Sequence, residues 1–182
     1  MKLIFTVLIA LLVAGCHACF TARTCPKAES LQSDYVAANF SLKAFAGVYY
    51  QIAYKDVVGG GVNEKFSLKC LGREFGARVK YEQIENTRGQ FILTVKRVPV
   101  KFVEIIVDVG QNLRSGQYDW IVAFQCKRNW LGSGSGFYTF HFYSRTPTPE
   151  YYHQMLAIAQ ERFPEFMEGR DIHIVDHQNC DW

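Results

Sequence analysis

The sequence lacks the charge pattern of a protein that binds nucleic acid. Its 182 residues carry a formal net charge of +3, and no run of Lys and Arg is long enough to indicate nucleic acid or a polybasic membrane anchor as a partner. A disorder signature is also missing, since 49% of the residues are hydrophobic and 20% are charged, as in ordinary globular domains. Internal repeats and interdomain linkers are absent too, and the length favours a single domain.

A single long apolar run opens the chain, and no second run is long enough to span a bilayer. Lys2 precedes the stretch LIFTVLIALLVAG, and small residues follow at Gly15 and Ala18. This pattern is typical of a secretory signal peptide, because its apolar core is short for a transmembrane helix. We predict a signal peptide over residues 1–18, one domain over residues 19–182, and secretion to the outside of the cell.

The six cysteines do not follow a zinc-binding pattern, and we predict no metal site. In a secreted protein their default state is the disulfide. Cys16 and Cys19 have the spacing of a redox pair but lie in or beside the signal region. The stretch VAGC at residues 13–16 also fits a bacterial lipoprotein signal, in which Cys16 carries the lipid. Anchoring by lipid at Cys16 is therefore the alternative to free secretion.

Alternating apolar and polar residues predict a series of antiparallel strands from Val48 onward. The predicted strands cover residues 49–55, 66–74, 77–86, 91–96, 101–109, 118–127 and 137–144, with a short last strand at 171–175. Residues 26–40, which precede them, are predicted to be irregular. Within that segment Asn39 opens a glycosylation sequon, Asn39-Phe40-Ser41.

One helix is predicted between the last two strands. Thr148 is a suitable N-cap, Pro149 suits the first helical position, and Pro164 ends the pattern. Five apolar residues fall on one face at helical spacing: Tyr152, Met155, Leu156, Ala159 and Phe163. The fold class is thus all-β with one C-terminal helix. An up-and-down antiparallel barrel of eight strands, or seven, closes the edges of such a sheet and leaves room for one small ligand.

Two short motifs carry a resemblance to the lipocalins, strongest to the apolipoprotein D and bacterial lipocalin branch. Gly47-Val48-Tyr49 stands where that family has Gly-x-Trp, at the start of the first strand. Arg145, in FYSRTPTPE, stands where the family has an arginine that packs across the tryptophan. The resemblance implies that Gly47, Tyr49 and Arg145 form the structural signature at the closed end of a barrel. A cation over an aromatic ring there contributes on the order of 1 kcal/mol.

The same resemblance implies two disulfides. These are Cys25–Cys126 and Cys70–Cys180. Each would close a loop of about a hundred residues, which stabilises a fold by roughly 4–5 kcal/mol in the chain-entropy model. A further lipocalin signature, Thr-Asp-Tyr, has two competing counterparts here, at Asp108 and at Asp119.

A weaker similarity leads to an enzyme. Residues 118–150 are similar to part of the lipocalin domain of violaxanthin de-epoxidase, a plant and algal xanthophyll enzyme. That domain has an acidic residue, implicated in catalysis, immediately before the cysteine of its second strand, whereas Lys69 precedes Cys70 here. Because one scaffold can host unrelated functions, we predict no catalytic residue and no cofactor. An enzyme acting on an apolar substrate such as a xanthophyll is the alternative.

The lipocalin resemblance implies that the barrel binds a small hydrophobic ligand, such as a fatty acid, sterol, retinoid or pigment. The residues predicted to line its cavity are Tyr81, Phe91, Leu93, Ile105, Trp120, Phe124, Tyr138 and Phe140. Strand periodicity does not tell which face points inward, so packing on the outer wall beneath the helix is the alternative for each of them. His141 is expected to be a surface or hydrogen-bonded residue rather than a metal ligand or a base.

Overall fold

The computed structural model describes residues 27–58, 79–95, 101–127, 137–167 and 172–180. The predicted signal peptide, the predicted strand at residues 66–74, and Lys69 lie outside the described residues.

The described strands form one antiparallel sheet, as predicted. They are β1 (Tyr50–Val58), β2 (Val79–Gln83), β3 (Gln90–Val95), β4 (Lys101–Asn112), β5 (Gln117–Lys127), β6 (Phe137–Ser144) and β7 (His173–Ile174). Their order in the sheet is β2-β3-β4-β5-β6-β1-β7. Strands β2 to β6 are therefore a meander, and the first strand returns to pair with β6.

The sheet is strongly curved, as the contacts of Phe45 show. This residue contacts both β3 and Tyr49, which immediately precedes β1. The ring centroid of Phe45 lies 5.2 Å from that of Phe91 on β3 and 5.9 Å from that of Tyr49. Four strand spacings separate β3 from β1 in the sheet order, which would be roughly 19 Å in a flat sheet. We call the concave side, which carries Phe91, the inner face, and the convex side the outer face.

The C-terminal helix α4 (Tyr152–Arg162) covers the outer face. Its buried residues Met155 and Ala159 belong to the same core cluster as Phe140 on β6. No helix in the described parts of the chain has both the length and the apolar character needed to cross a membrane.

Helix α4 begins three residues later than the sequence predicted. The amide of Tyr152 donates to the carbonyl of Pro149 at 3.0 Å, so residues 149–151 form a turn. Thr148, the predicted N-cap, does not cap the helix. Its hydroxyl lies 3.0 Å from that of Thr146 instead, and Tyr151 is at the N-cap position. The short helix α5 (Pro164–Met167) then begins at the proline that was predicted to end α4.

The prediction of irregular structure for residues 26–40 was wrong. The structure has α1 (Ala28–Leu31), α2 (Asp34–Asn39) and α3 (Leu42–Phe45) before the first strand. The hydroxyl of Ser33 accepts from the amide of Val36 at 3.2 Å, and that of Ser41 accepts from Ala44 at 3.3 Å. These side-chain caps start the second and third helices. Each helix is too short to show an apolar period in the sequence.

Candidate functional site

One end of the inner face is closed by Tyr49 and Arg145. The guanidinium carbon of Arg145 lies 4.0 Å from the centroid of the Tyr49 ring. The Tyr49 hydroxyl donates to the carbonyl of Tyr118 at 3.1 Å. Burial is the main cause that raises the pKa of Tyr49, and the neighbouring Arg145 opposes it. The phenol is therefore neutral at physiological pH and acts as a hydrogen-bond donor.

Arg145 also ties the N-terminal helices to the sheet through four backbone carbonyls. Its Nε donates to Tyr118 at 3.0 Å, and its Nη1 donates to Val48 at 3.2 Å. Its Nη2 donates to Ala44 at 3.0 Å and to Ala46 at 2.8 Å. A planar guanidinium satisfies such a divergent set of acceptors, which a single ammonium group does not.

Glycine at position 47 is required for two reasons, and both predict an effect of substitution. Its φ is +120°, and a Cβ there would clash with Nη1 of Arg145. We expect Gly47→Ala to lower the free energy of unfolding by about 2–3 kcal/mol, as measured by urea unfolding. Gly116 is the matched control, because its φ is +67° but a Cβ there meets nothing within 4 Å. Equal losses in Gly47→Ala and Gly116→Ala would contradict a role for the Arg145 contact.

The inner face above this floor is largely apolar. Residues paired across antiparallel strands share a face, and Ile121 pairs with Tyr143 while Ala123 pairs with both His141 and Ile106. The buried apolar residues on this face include Phe91, Leu93, Ile106, Val109, Tyr118, Ile121, Ala123 and Tyr143. Two residues of the predicted lining, Phe91 and Leu93, are among them.

Four other residues of the predicted lining lie on the outer face, the alternative that the sequence left open. Ile105, Trp120, Phe124 and Phe140 share a core cluster with the helix residues Met155 and Ala159. The predicted lining therefore does not form one set, and these four support the wall from outside. Tyr81 and Tyr138 are in β2 and β6, but their side chains lie outside the description. Ile106, Val109, Ile121, Ala123 and Tyr143 were missed, because the pairing register that places them on the inner face is not visible in the sequence.

Three polar side chains cross the inner face as a hydrogen-bonded row, which we call the polar row: Gln51, His141 and Gln125. Nε2 of Gln51 lies 2.9 Å from Nδ1 of His141, and Nε2 of His141 lies 3.3 Å from Oε1 of Gln125. Burial lowers the pKa of His141 to about 4, so the imidazole is neutral at physiological pH. The expectation that His141 is a hydrogen-bonded residue agrees with this geometry.

An open groove of about 450 Å³ lies at the closed end and is lined by Asp108 and Asp119 among others. Oδ1 of Asp108 accepts from the hydroxyl of Ser33 at 2.9 Å, and Oδ1 of Asp119 accepts from Nδ2 of Asn112 at 3.1 Å. Both carboxylates thus hold neighbouring segments together. The structure does not favour either as the counterpart of the further signature.

The predicted covalent features stay predictions. Cys25 and Cys70 lie outside the described residues, and of Cys126 only the backbone is described. Cys180 is disulfide-bonded. Asn39 is exposed at the end of α2, a position that a glycan could reach.

Comparison with known proteins yields structural matches alone. No family model matches the sequence, and no curated protein matches it. Insecticyanin from the tobacco hornworm Manduca sexta is 14% identical, with a TM-score of 0.59 over 88% of this chain and 89% of that one. The complex of LTBP1 with LTC4 is 12% identical, with a TM-score of 0.53 over 87% of this chain and 99% of that one. Apocrustacyanin A1 from lobster is 10% identical, with a TM-score of 0.53 over 88% of this chain and 92% of that one. Likeness at these identities establishes the fold.

Proposed function

Because the chain has the lipocalin fold of these structures, we propose that it binds one small hydrophobic molecule against its inner face. One protein of the same fold, LTBP1, holds leukotriene C4, which supports a binding role. The proposed ligand is a fatty acid, a sterol, a retinoid or a pigment. The proposed role is binding without turnover.

The observation that carries the proposal is the apolar inner face, which Tyr49 and Arg145 close at one end. Phe45, Tyr49 and Phe91 converge at its floor, and Ile106, Ile121 and Ala123 form a wall of low polarity above them. Removing apolar ligand surface from water yields roughly 25 cal/mol per Å², so burying about 300 Å² would supply roughly 7 kcal/mol before the costs of association. Affinity of this origin requires few polar contacts.

We place this function outside the cell. The N-terminal sequence has the pattern of a signal peptide, and secreted chains form disulfides. The proposed pairings remain Cys25–Cys126 and Cys70–Cys180, and the disulfide-bonded state of Cys180 is in keeping with the second. A lipid anchor at Cys16 is the alternative way to reach the same compartment.

Native mass spectrometry of the secreted chain tests the proposal. Before extraction with organic solvent we expect a species heavier than the polypeptide by the mass of one small molecule. After extraction that mass should be lost, and the neutral apolar fluorophore N-phenylnaphthylamine should bind saturably at about one molecule per chain. A chain that carries no ligand and does not take up the fluorophore would contradict the proposal.

A further inference from the structure

The polar row is placed where a ligand on the inner face would reach it. Gln51 is on β1, His141 on β6 and Gln125 on β5, so the row spans three neighbouring strands. Gln51 pairs in register with Tyr143, and His141 pairs with Ala123. The row therefore lies just above the floor, within the apolar wall. Its carboxamides are half-buried, so each keeps some accessible surface in this position.

Hydrogen-bond directions in the row follow from the chemistry of its groups. Nε2 of Gln51 can only donate, so Nδ1 of the neutral His141 accepts at 2.9 Å. The imidazole proton then lies on Nε2, which donates to Oε1 of Gln125 at 3.3 Å. His141 thus fixes the orientation of both carboxamides.

This arrangement leaves one end of each carboxamide available. Oε1 of Gln51 is an acceptor, and Nε2 of Gln125 carries two donors. Neither atom has a hydrogen-bond partner among the described residues. Two complementary groups, an acceptor and a donor, are thus held on the two sides of one imidazole.

The charge near the row favours an uncharged ligand group. Glu104 pairs in register with Gln125, which places its carboxylate on the inner face, and its side chain is buried. Lys55 pairs with the outer-face residue Phe140, and its ammonium group donates to the carbonyl of Met167 on α5 at 2.7 Å. Of these two side chains, the acidic one shares the face with the row and the basic one does not, so a carboxylate on the ligand would gain no cationic partner from either.

We infer that Gln51 and Gln125, oriented by His141, bind the polar end of the apolar ligand, and that this end is an uncharged amide or alcohol. Such a group accepts from Nε2 of Gln125 and donates to Oε1 of Gln51. The inference rests on the proposed function and narrows it. A purely structural row, in which the carboxamides only brace His141, is the competing explanation.

A matched ligand series separates the two explanations. Decane, decanol, decanamide and decanoate would each compete with N-phenylnaphthylamine for the full, disulfide-intact chain after solvent extraction. We expect decanol and decanamide to bind about tenfold more tightly than decane or decanoate, since one or two net hydrogen bonds are worth roughly that factor. Equal affinities across the series would overturn the inference.

Two substitutions at Gln125 then test the residue. Gln125→Leu should weaken decanol and decanamide about tenfold and leave decane within about twofold. Gln125→Glu retains an acceptor for His141 but replaces the donors, and it should cause the same loss if the donors bind ligand. Gln117→Leu, at the exposed start of the same strand, is the control and should change nothing. An unchanged preference in both Gln125 variants would overturn the inference while leaving the proposed function intact, whereas failure of N-phenylnaphthylamine to bind the parent chain would remove both.

Discussion

Replacing Arg145 by methionine is expected to lower the free energy of unfolding by about 3–5 kcal/mol. Hydrogen bonds from a charged group contribute about 1.5–3 kcal/mol each when measured singly, and they are not additive. Arg145 makes four of them, to Tyr118, Val48, Ala44 and Ala46. Methionine keeps most of the side-chain length, so the loss reports on the guanidinium rather than on a cavity. Urea unfolding followed by circular dichroism provides the measurement.

Two matched variants define what that loss means. Arg145→Lys keeps the positive charge over the Tyr49 ring but loses the planar guanidinium. It should therefore recover less than half of the free energy of unfolding that Arg145→Met loses. Arg114→Met, in the exposed turn between β4 and β5, should stay within about 0.5 kcal/mol of the parent chain. If Arg145→Met were as stable as Arg114→Met, the closed end would not depend on Arg145.

Filling the inner face is expected to have the largest effect on ligand binding. Ala123 is fully buried on that face, between Ile106 and His141 in the neighbouring strands. In Ala123→Phe the added ring would occupy space next to the polar row, where we place the ligand. We expect affinity for N-phenylnaphthylamine to fall at least tenfold, equivalent to about 1.4 kcal/mol. The overpacking itself should cost about 1–3 kcal/mol of stability.

The same substitution on the other side of the sheet is the control. Val103 is 38% exposed, and its neighbours Phe102 and Glu104 belong to the inner face. Because side chains alternate along a strand, Val103→Phe places a ring of the same size on the outer surface. It should leave affinity for the fluorophore within about twofold of that of the parent chain.

Strand positions were predictable because they depend on local alternation. The predicted limits 137–144 coincide with β6, and the predicted strand 118–127 differs from β5 by one residue. Alternation of this kind arises because successive side chains point to opposite faces of the sheet. It can be recognised along one strand without knowledge of distant contacts. The short N-terminal helices depend instead on single capping hydroxyls, at Ser33 and Ser41, which a pattern of apolar residues does not reveal.

The face of each residue was not predictable because two strands carry bulges. The register of β1 shifts between Gln51 and Ala53, and that of β4 shifts between Ile106 and Asp108. A bulge turns the following residues to the other face. Ala53 consequently belongs to the outer cluster although the odd-numbered Tyr49 belongs to the inner one. Counting by two along such a strand therefore fails to carry a face from one end to the other.

The curvature of the sheet was likewise beyond the reach of the sequence pattern. Phe45 contacts both Tyr49, which is near it in the chain, and Phe91 on β3. Phe91 is distant from both in the chain, and β3 is distant from β1 in the sheet order. The polar row has the same origin, since it brings together three strands. Each of its members is an ordinary polar residue in the sequence, and only their register makes them one group.

A fluorescence titration of the parent chain and of Ala123→Phe with N-phenylnaphthylamine tests most directly whether the inner face is the ligand site. The parent chain should bind about one molecule, and Ala123→Phe, with its circular dichroism spectrum unchanged, should bind at least tenfold more weakly. Equal affinity and stoichiometry in the two folded chains would contradict the claim.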